Sequence, residues 1–390
     1  MEFLLSPEQE MMVETARKVG AAFGPDYWRD KDREKAFPAE AWQAICDAGL
    51  CGVALPAEYG GSGLGMLDMA LVIENLVAGG AGSTLAQIFM MTPIFGGVSI
   101  ARFGTADMKR RLLPKIIAGE IHFCMALTEP DAGSNSLAIK SFARADGNGW
   151  RLNGRKIWIT GVEVAEKMLV VARTKKLEEV SRKTDGLSLF LIDVDRPGVS
   201  YSPIDKLGTN TITSSNVYFD DVALDPEDLI GTLDGGWRQL LDVLNTERIV
   251  TVAGLVGTVR LATQMAVDYG AGRKVFGETP IGAYQGLQFP LAQAHAESEC
   301  ARLMNYKAAW LFDNGQPFGS QANVAKLIAA QSCSAATERA MQVLGGMGYA
   351  KDAHLERLWR DCRLFRFAPV SEEMTLNFIA QHDLGMPRSY

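Results

Sequence analysis

The chain has 390 residues, of which 47% are hydrophobic and 22% are charged. This composition is typical of a soluble globular protein and excludes intrinsically disordered, collagen-like and low-complexity classes. The length predicts two or three packed domains. With 39 Lys and Arg against 46 Asp and Glu, the formal net charge is −7. This balance offers no general attraction for phosphate groups, so we expect neither nucleic acid nor a membrane surface as a partner.

The cysteines and histidines are too scattered to predict a metal centre. The six cysteines form no C-x-x-C pair, and the four histidines lie far apart in the sequence. Dispersed cysteines in a chain of this length are typical of reduced thiols. The first residues carry acid where a signal peptide carries base, and no long apolar run follows. We therefore expect a cytoplasmic protein without a bound metal.

The first 120 residues have the periodicity of helices. Ser6 as the N-cap, Pro7 in the first turn and Gln9 three residues after the cap predict a helix start. The same periodicity, with Gly or Pro at the joints, predicts helices over 38–48, 67–77 and 107–118. The sequence thus predicts an N-terminal helical domain over 1–120.

The period then changes to that of strands. Asn153-Gly154 is a hairpin signal between the β-rich runs 150–152 and 156–160. Further β-rich runs, separated by Gly, Pro and Asp, cover 168–173, 187–194 and 216–219. These runs predict an antiparallel, β-barrel-like middle domain over 121–232.

Longer helical patterns follow the sheet. They predict helices over 237–269, 284–313, 321–344 and 371–381. We expect Pro290 to kink or delay its helix, because proline has no N–H to donate. These lengths predict a C-terminal four-helix bundle over 233–390, so the fold class is a multidomain α+β protein.

Glu247 is the acid that the helical period places among apolar and small residues. It shares a face with Leu240, Leu244, Thr251 and Gly254. An isolated carboxylate on such a face is unfavourable, whereas the small neighbours leave room for a ligand. A functional carboxylate and a structural ion pair with Arg248 or another base are both compatible with this pattern.

Three segments rich in glycine or hydroxyl groups are candidate binding loops. Residues 60–65 lack the preceding strand and the lysine of nucleotide loops, which favours a flexible connector. Residues 128–135 combine hydroxyls and exposed N–H groups that suit a polar cofactor ring, or form an ordinary turn. Residues 345–349 either form a helix C-cap and turn or let the backbone come close to a phosphate or an adenine.

Five motifs in chain order resemble those of the acyl-CoA dehydrogenase family. They are L-P-A-E-Y-G-G-S-G at 55–63, L-T-E-P-D-A-G-S-N at 127–135, W-I-T at 158–160, R-K-V-F-G at 273–277 with Gln285, and the Q-to-Y segment at 342–349. The predicted order of helices, sheet and bundle agrees with this resemblance, which covers nearly the whole chain.

The resemblance implies FAD held between the middle domain and the bundle. The residues at flavin-ring positions are Met125, Leu127, Thr128, Ser134, Trp158 and Thr160, with further contacts at Ser371 and Glu373. The residues that would hold the pyrophosphate and adenosine from a neighbouring subunit are Arg273, Phe276, Gln285, Gln342, Gly345 and Gly346. A cofactor shared between chains implies a homo-oligomer, in this family a dimer of dimers.

The family reaction converts an acyl-CoA to its 2,3-enoyl product. A carboxylate removes the α proton, the flavin N5 takes the β hydride, and an electron-transfer flavoprotein accepts the electrons. Most members carry the base in a C-terminal Y-E-G-T-S-E segment, where this chain has Pro369. The branch acting on isovaleryl-type or long-chain thioesters has a Glu-Arg pair on the long helix, which Glu247 and Arg248 match.

The resemblance therefore implies Glu247 as the base, with Ser134, Asn245 and Arg248 as substrate contacts. Glu372 is the rival base. Pro369 removes one N–H that would hold the thioester oxygen, which Val370 or a water replaces unless the loop takes another path. Two other functions stay open at this point: a flavin-dependent oxidase or monooxygenase, and a non-catalytic flavin- or acyl-binding protein.

Overall fold

The computed structural model describes residues 4–388, and its N-terminal third is helical. At the start of α1, the Ser6 hydroxyl accepts from the Gln9 N–H at 3.2 Å, and the Gln9 side chain accepts from the Ser6 N–H at 3.1 Å. This reciprocal cap confirms the predicted helix start. The helices are α1 (Pro7–Ala22), α2 (Pro25–Glu34), α3 (Ala39–Asp47), α4 (Met66–Leu76), α5 (Ser83–Phe89), α6 (Ser99–Phe103) and α7 (Ala106–Ile117).

The sheet follows as a mixed layer of strands. Its strands are β1 (Phe123–Ala126), β2 (Phe142–Asp146), β3 (Gly149–Thr160), β4 (Lys167–Arg173), β5 (Leu187–Asp193), β6 (Val199–Pro203), β7 (Ser214–Leu224) and β8 (Leu229–Ile230). They are ordered β6-β7-β3-β2-β4-β5-β8, and β1 pairs with β4. The β1–β4 pair is parallel, as is the short contact between β2 and β4, so the expectation of a wholly antiparallel sheet is wrong at these two places.

The predicted hairpin at Asn153-Gly154 is also wrong. Both residues lie inside the single strand β3, and the chain reverses earlier, where Asp146 pairs with Gly149. The register against β7 shifts between Leu152 and Gly154, which marks a bulge. Gly154 has φ 156°, and a Cβ there would lie 2.3 Å from the Ser141 Oγ. The glycine allows two segments of the same chain to approach closely and does not form a turn.

The C-terminal part is a bundle around one long central helix. Its helices are α8 (Gly236–Gly272), α9 (Gln285–Asp313), α10 (Gly319–Leu344), α11 (Leu355–Arg363) and α12 (Glu372–Phe378). Helix α9 begins at Gln285 and continues through Pro290, so the proline does not delay it. Helices α8, α9 and α10 pack against one another, and α12 packs against α10, which confirms the predicted C-terminal bundle. Together with the sheet and the N-terminal helices, this bundle confirms the α+β fold class.

Among the described residues, two helices are long and apolar enough to cross a membrane when judged by length and composition alone. They are the helical stretch Ser83–Phe103, which continues through π-helical turns, and α8. Their apolar windows are 94% and 78% buried inside the protein. Core helices of this kind pass the same test, so the finding is weak evidence for a membrane span.

Glycines on α8 allow neighbouring helices to approach it closely. A Cβ added at Gly254 would lie 2.3 Å from the Cβ of Ala86 on α5, and one added at Gly257 would lie 2.5 Å from the carbonyl oxygen of Glu74 on α4. The α5–α8 contact requires a residue without a side chain, because both partners are rigid at these positions.

We predict that Gly254→Ala destabilises the protein by about 1–3 kcal/mol, because the added methyl overlaps Ala86 in a packed interior. Alanine ordinarily stabilises a helix interior relative to glycine, so a loss of stability in Gly254→Ala would be due to packing. Thermal unfolding measures it. Gly272→Ala is the matched control, since a Cβ there meets nothing within 4 Å. An unchanged or raised melting temperature for Gly254→Ala would contradict the packing account.

Candidate functional site

Glu247 lies on α8 with only 4% of its surface exposed. Its helix neighbour Thr251 donates a hydrogen bond to the Met90 sulfur at 3.5 Å, and Gly254 meets Ala86 one turn further on. The face that carries Glu247 therefore looks toward the buried helical stretch Ser83–Phe103. The predicted position of this acid on an inward face is confirmed.

The carboxylate of Glu247 has no ion-pair partner within 4.0 Å in the part of the chain that the structure describes, 4–388. Arg248, its neighbour, directs a guanidinium N–H to the Asn245 side-chain oxygen instead. Burial raises the pKa of Glu247 to about 8, although Arg248 and Lys326 act in the opposite direction. The alternative of a structural ion pair is therefore wrong, and Glu247 is poised to hold or release a proton near neutral pH.

A second buried charge, which the sequence analysis missed, faces Glu247 from α10. Lys326 is fully buried, and its ammonium donates to the Val370 carbonyl oxygen. Burial lowers the pKa of Lys326 to about 8. Its burial could have been predicted from the sequence, because Lys326 shares a helix face with the small residues Ala322, Ala329 and Ala330.

The segment that replaces the usual family base lies between α11 and α12. The Glu372 carboxylate accepts two hydrogen bonds from Arg366, both at 2.7 Å, and this pairing lowers its pKa. Ser371 is the N-cap of α12, since its hydroxyl accepts from the Met374 N–H. Glu373 is exposed.

The strand ends that carry the predicted flavin-ring residues are brought together by a buried ion pair. The Lys156 ammonium donates to the carbonyl oxygen of Leu127 and to the carboxylate of Glu129, both at 2.9 Å. The same carboxylate accepts from the N–H groups of Lys140 and Ser141. Although burial opposes it, Lys156 and these N–H groups hold the pKa of Glu129 below its usual range. This support for the 127–135 segment was also missed by the sequence analysis.

The surface above this ion pair suits an aromatic ring system. The Ile157 N–H donates to the Thr128 carbonyl oxygen at 2.9 Å, which joins the segment after β1 to β3. Trp158 has φ 62°, rare for a bulky residue, and its side chain remains 53% exposed. The Thr160 hydroxyl shares a hydrogen bond with Ser214 at 3.1 Å. An exposed indole in an unusual backbone conformation beside available hydroxyls fits a flavin.

The structure places the other predicted residues of this surface around it. Met125 is half-buried on β1, and Ser134 is exposed in the following loop. A Cβ added at the adjacent Gly133 would meet nothing within 4 Å. The loop therefore has open space in front of it, as a bound cofactor requires.

The residues predicted to hold the adenosine half meet at one end of the bundle. The end of α8, the start of α9 and the end of α10 share an apolar cluster that includes Ile281 and Val343. Phe276 is 98% exposed, and a Cβ added at Gly345 or Gly346 would meet nothing within 4 Å. The residues of this group are all exposed: Arg273, Phe276, Gln285, Gln342, Gly345 and Gly346. Such a surface is open to a ligand or a second chain.

The glycine-rich segment 60–65 is a connector, as expected. Its N–H groups bond within the chain: that of Ser62 donates to Gly52, and that of Gly63 donates to Leu55. A Cβ at Gly61 would lie 2.2 Å from the Leu55 carbonyl oxygen. Because these N–H groups are already used, the segment offers no phosphate cradle.

Comparison with known proteins decides the family. The N-terminal, middle and C-terminal domain profiles of acyl-CoA dehydrogenases match residues 6–120, 124–222 and 234–384. The chain belongs to the acyl-CoA dehydrogenase family. It is 42% identical over 390 residues to acyl-CoA dehydrogenase FadE12 of Mycobacterium tuberculosis, which covers 100% of this chain and 99% of the relative.

Solved acyl-CoA dehydrogenase structures have the same fold. A glutaryl-coenzyme A dehydrogenase in complex with glutaryl-CoA has a TM-score of 0.94 and 31% identity, over 100% of this chain and 98% of that one. A glutaryl-CoA dehydrogenase from Mycobacterium smegmatis in complex with FADH2 has a TM-score of 0.91 and 26% identity, over 99% and 97%. With the fit of the Trp158 surface, these structures identify the cofactor as FAD.

The same fold also serves an oxidase. The prolyl acyl carrier protein oxidase AnaB has a TM-score of 0.92 and 26% identity, over 98% of this chain and 100% of that one. Fold similarity alone therefore does not separate a dehydrogenase from an oxidase.

We predict that Glu247→Gln changes how stability depends on pH. Burial raises the pKa of Glu247 from its ordinary value of 4.5 to about 8, so the folded protein retains a proton that the unfolded chain releases. Wild-type stability therefore falls as pH rises between these values, and the neutral glutamine removes this loss, roughly 3 kcal/mol between pH 5 and 8. Melting temperatures across this range measure the difference. Asp242→Asn, at a half-buried acid on the same helix, is the control; a pH-independent difference between Glu247→Gln and wild type would refute the raised pKa of Glu247.

We predict that Glu129→Gln destabilises the protein by roughly 3 kcal/mol, because it leaves the fully buried Lys156 ammonium without its carboxylate. Chemical or thermal unfolding measures the loss, and reduced retention of FAD on gel filtration should accompany it. Asp131→Asn is the control, since its 3.8 Å pair with Lys140 is exposed and contributes little. Equal losses of stability for the two substitutions would show that the buried Lys156–Glu129 pair contributes no more than an exposed ion pair.

Proposed function

We propose that this enzyme, an FAD-dependent acyl-CoA dehydrogenase, oxidises its acyl-CoA to the 2,3-enoyl product with Glu247 as the base. The observation that carries the assignment is a carboxylate that is 4% exposed yet has no ion pair in the described chain. Such a group is unfavourable for stability, and its raised pKa suits proton transfer near neutral pH.

In this proposal the ionised Glu247 removes the α proton and retains it on a carboxylate oxygen. When bound, FAD would supply the acceptor for the β hydrogen and its electron pair, so that loss of one proton and one hydride would leave a carbon–carbon double bond in the acyl group. Asn245 and Arg248 contact the substrate beside the base, with their side chains linked to each other. Trp158, Thr128 and Thr160 hold the flavin ring, and Met125, Leu127 and Ser134 complete its surroundings.

The rival base, Glu372, is less suited to this role. Arg366 holds its carboxylate through two hydrogen bonds and lowers its pKa. A carboxylate stabilised in its ionised form is a weak proton acceptor. We assign Glu372 to fixing the start of α12 and leave Ser371 and Glu373 as flavin contacts.

The thioester oxygen needs hydrogen-bond donors, because negative charge develops on it when the α proton leaves. Pro369 has no N–H, so the first available donor after it is the N–H of Val370. Within residues 4–388 this N–H donates to no backbone carbonyl. We propose that it takes the position that the proline leaves empty.

The assembly and cellular setting follow from the same reasoning. The exposed group that includes Phe276 and Gly346 supports an adenosine site completed by a second subunit, in a dimer of dimers. We further propose domains over 1–120, 121–232 and 233–390, an electron-transfer flavoprotein as the acceptor, and a cytoplasmic location. The six cysteines are unpaired thiols, which supports a reducing compartment.

We predict that FAD-loaded Glu247→Gln bleaches its flavin at least 100-fold more slowly than wild type under anaerobic conditions, since removal of the base abolishes proton transfer. The measurement is stopped-flow absorbance with a panel from butyryl- to palmitoyl-CoA that includes isovaleryl-CoA. Asp242→Asn serves as the control on the same helix. Bleaching of Glu247→Gln at the wild-type rate would exclude Glu247 as the base.

The second candidate function is that of an oxidase, which the similarity to AnaB supports. The same reduced enzyme distinguishes the two. Slow reaction with oxygen and rapid transfer to an electron-transfer flavoprotein are expected of the dehydrogenase, whereas rapid oxygen consumption would favour the oxidase.

A further inference from the structure

Lys326 is a buried base whose ammonium is held by a backbone carbonyl. It lies on α10 with 0% of its surface exposed, among Ala322, Ala329 and Ala330 of the same helix. Its ammonium donates to the carbonyl oxygen of Val370, in the segment that closes the site after α11. Lysine is rarely buried to this extent, because the ammonium loses its hydration. The interaction with Val370 compensates only part of that loss.

The charged groups that face Lys326 come from two other helices. They are Glu247 and Arg248 on α8, and Glu372 and Glu373 at the start of α12. Two of them are already engaged: Glu372 is bound by Arg366 and Arg248 by Asn245. Glu247 lies beyond 4.0 Å from any cation in the described chain, so it faces Lys326 without a direct ion pair. At such a separation in a protein interior a charge still acts on its neighbour's ionisation.

We propose that Lys326 is a positioning residue for the dehydrogenation: it fixes the 367–371 segment through the Val370 carbonyl, and its charge favours the ionised form of Glu247. The proposal rests on the proposed function, because Lys326 acts through the base and through the segment that faces the thioester.

Two consequences separate this role from mere packing. Removal of the positive charge should move the ionisation of Glu247 to higher pH, because one of the two cations that stabilise the carboxylate is lost. Burial also lowers the pKa of Lys326 to about 8, so in wild type the two groups titrate over the same range and the pH profile describes the pair. Without Lys326 a single, later transition should remain.

The test compares FAD-loaded wild type, Lys326→Met and Lys326→Arg, each alone and combined with Glu247→Gln. Methionine keeps the length of the side chain without its charge, and arginine keeps the charge. The rate of anaerobic flavin bleaching is measured from pH 6 to 10 with the fastest acyl-CoA of the panel. Melting temperatures over the same range report the ionisation of Glu247 without any substrate.

For Lys326→Met we expect bleaching about 10-fold slower at pH 7 and a midpoint about one pH unit higher, because each such unit lowers the ionised fraction tenfold. The pH at which the melting temperature stops falling should move upward in parallel, because the fall extends from the unfolded pKa of Glu247 to its folded pKa. Lys326→Arg should restore the wild-type midpoint and remain within about threefold in rate. In the Glu247→Gln background, Lys326→Met should change the pH dependence of the melting temperature only above about pH 8, where the buried lysine itself loses its proton.

The proposal is overturned if Lys326→Met keeps the wild-type midpoint, or if methionine and arginine slow the reaction equally with no shift. If Lys326→Met alone does not fold but the double variant with Glu247→Gln does, coupling to the carboxylate is supported. Failure of both to fold assigns Lys326 to packing and overturns it. Normal bleaching by Glu247→Gln alone would instead refute the base assignment, so the two failures are distinguishable.

Discussion

The close packing of α8 against the helices on either side of it is the constraint on which the rest of the structure depends. Gly254 and Gly257 let α5 and α4 approach without intervening side chains, and Gly236 begins the helix against the carbonyl of Leu187 on β5. The same helix therefore contacts the N-terminal helices, the sheet and the bundle. On its inward face Glu247 is only 4% exposed, and this removal from water is why its pKa is raised.

Buried charges organise the two halves of the site in different ways. Near the sheet, Lys156 and Glu129 neutralise each other at 2.9 Å and hold the 127–135 segment through backbone hydrogen bonds. In the bundle, Glu247 and Lys326 remain apart, and each has a pKa near neutrality. The first arrangement stabilises the surface that we propose for the flavin, and the second leaves a carboxylate that we propose as the proton acceptor. A closely paired lysine and glutamate can hold the backbone in place, whereas a carboxylate kept apart from its cation can still take up a proton.

The predictions from periodicity succeeded where a single helix face or a local cap carried the information. The start of α1 follows from the capping residues Ser6 and Gln9, and the inward position of Glu247 follows from the helical period of about 3.6 residues. The hairpin prediction at Asn153-Gly154 failed because glycine is required there by the close approach of Ser141, thirteen residues earlier in the chain, and not by a local turn. Lys326 was missed for the same reason, since its partner Val370 lies on a distant segment.

The sequence by itself determined the order of helices, sheet and bundle, the family motifs, and the identity of the inward acid, since each depends on residues close together in the chain. Only the tertiary structure decided that Glu247 has no ion pair within residues 4–388 while Arg248 binds Asn245, and that Glu372 is held by Arg366. It also placed the buried Lys326 against the Val370 carbonyl and near enough to Glu247 for their charges to interact. The physical reason is that burial and partner choice depend on groups from several helices, whose approach no local pattern encodes.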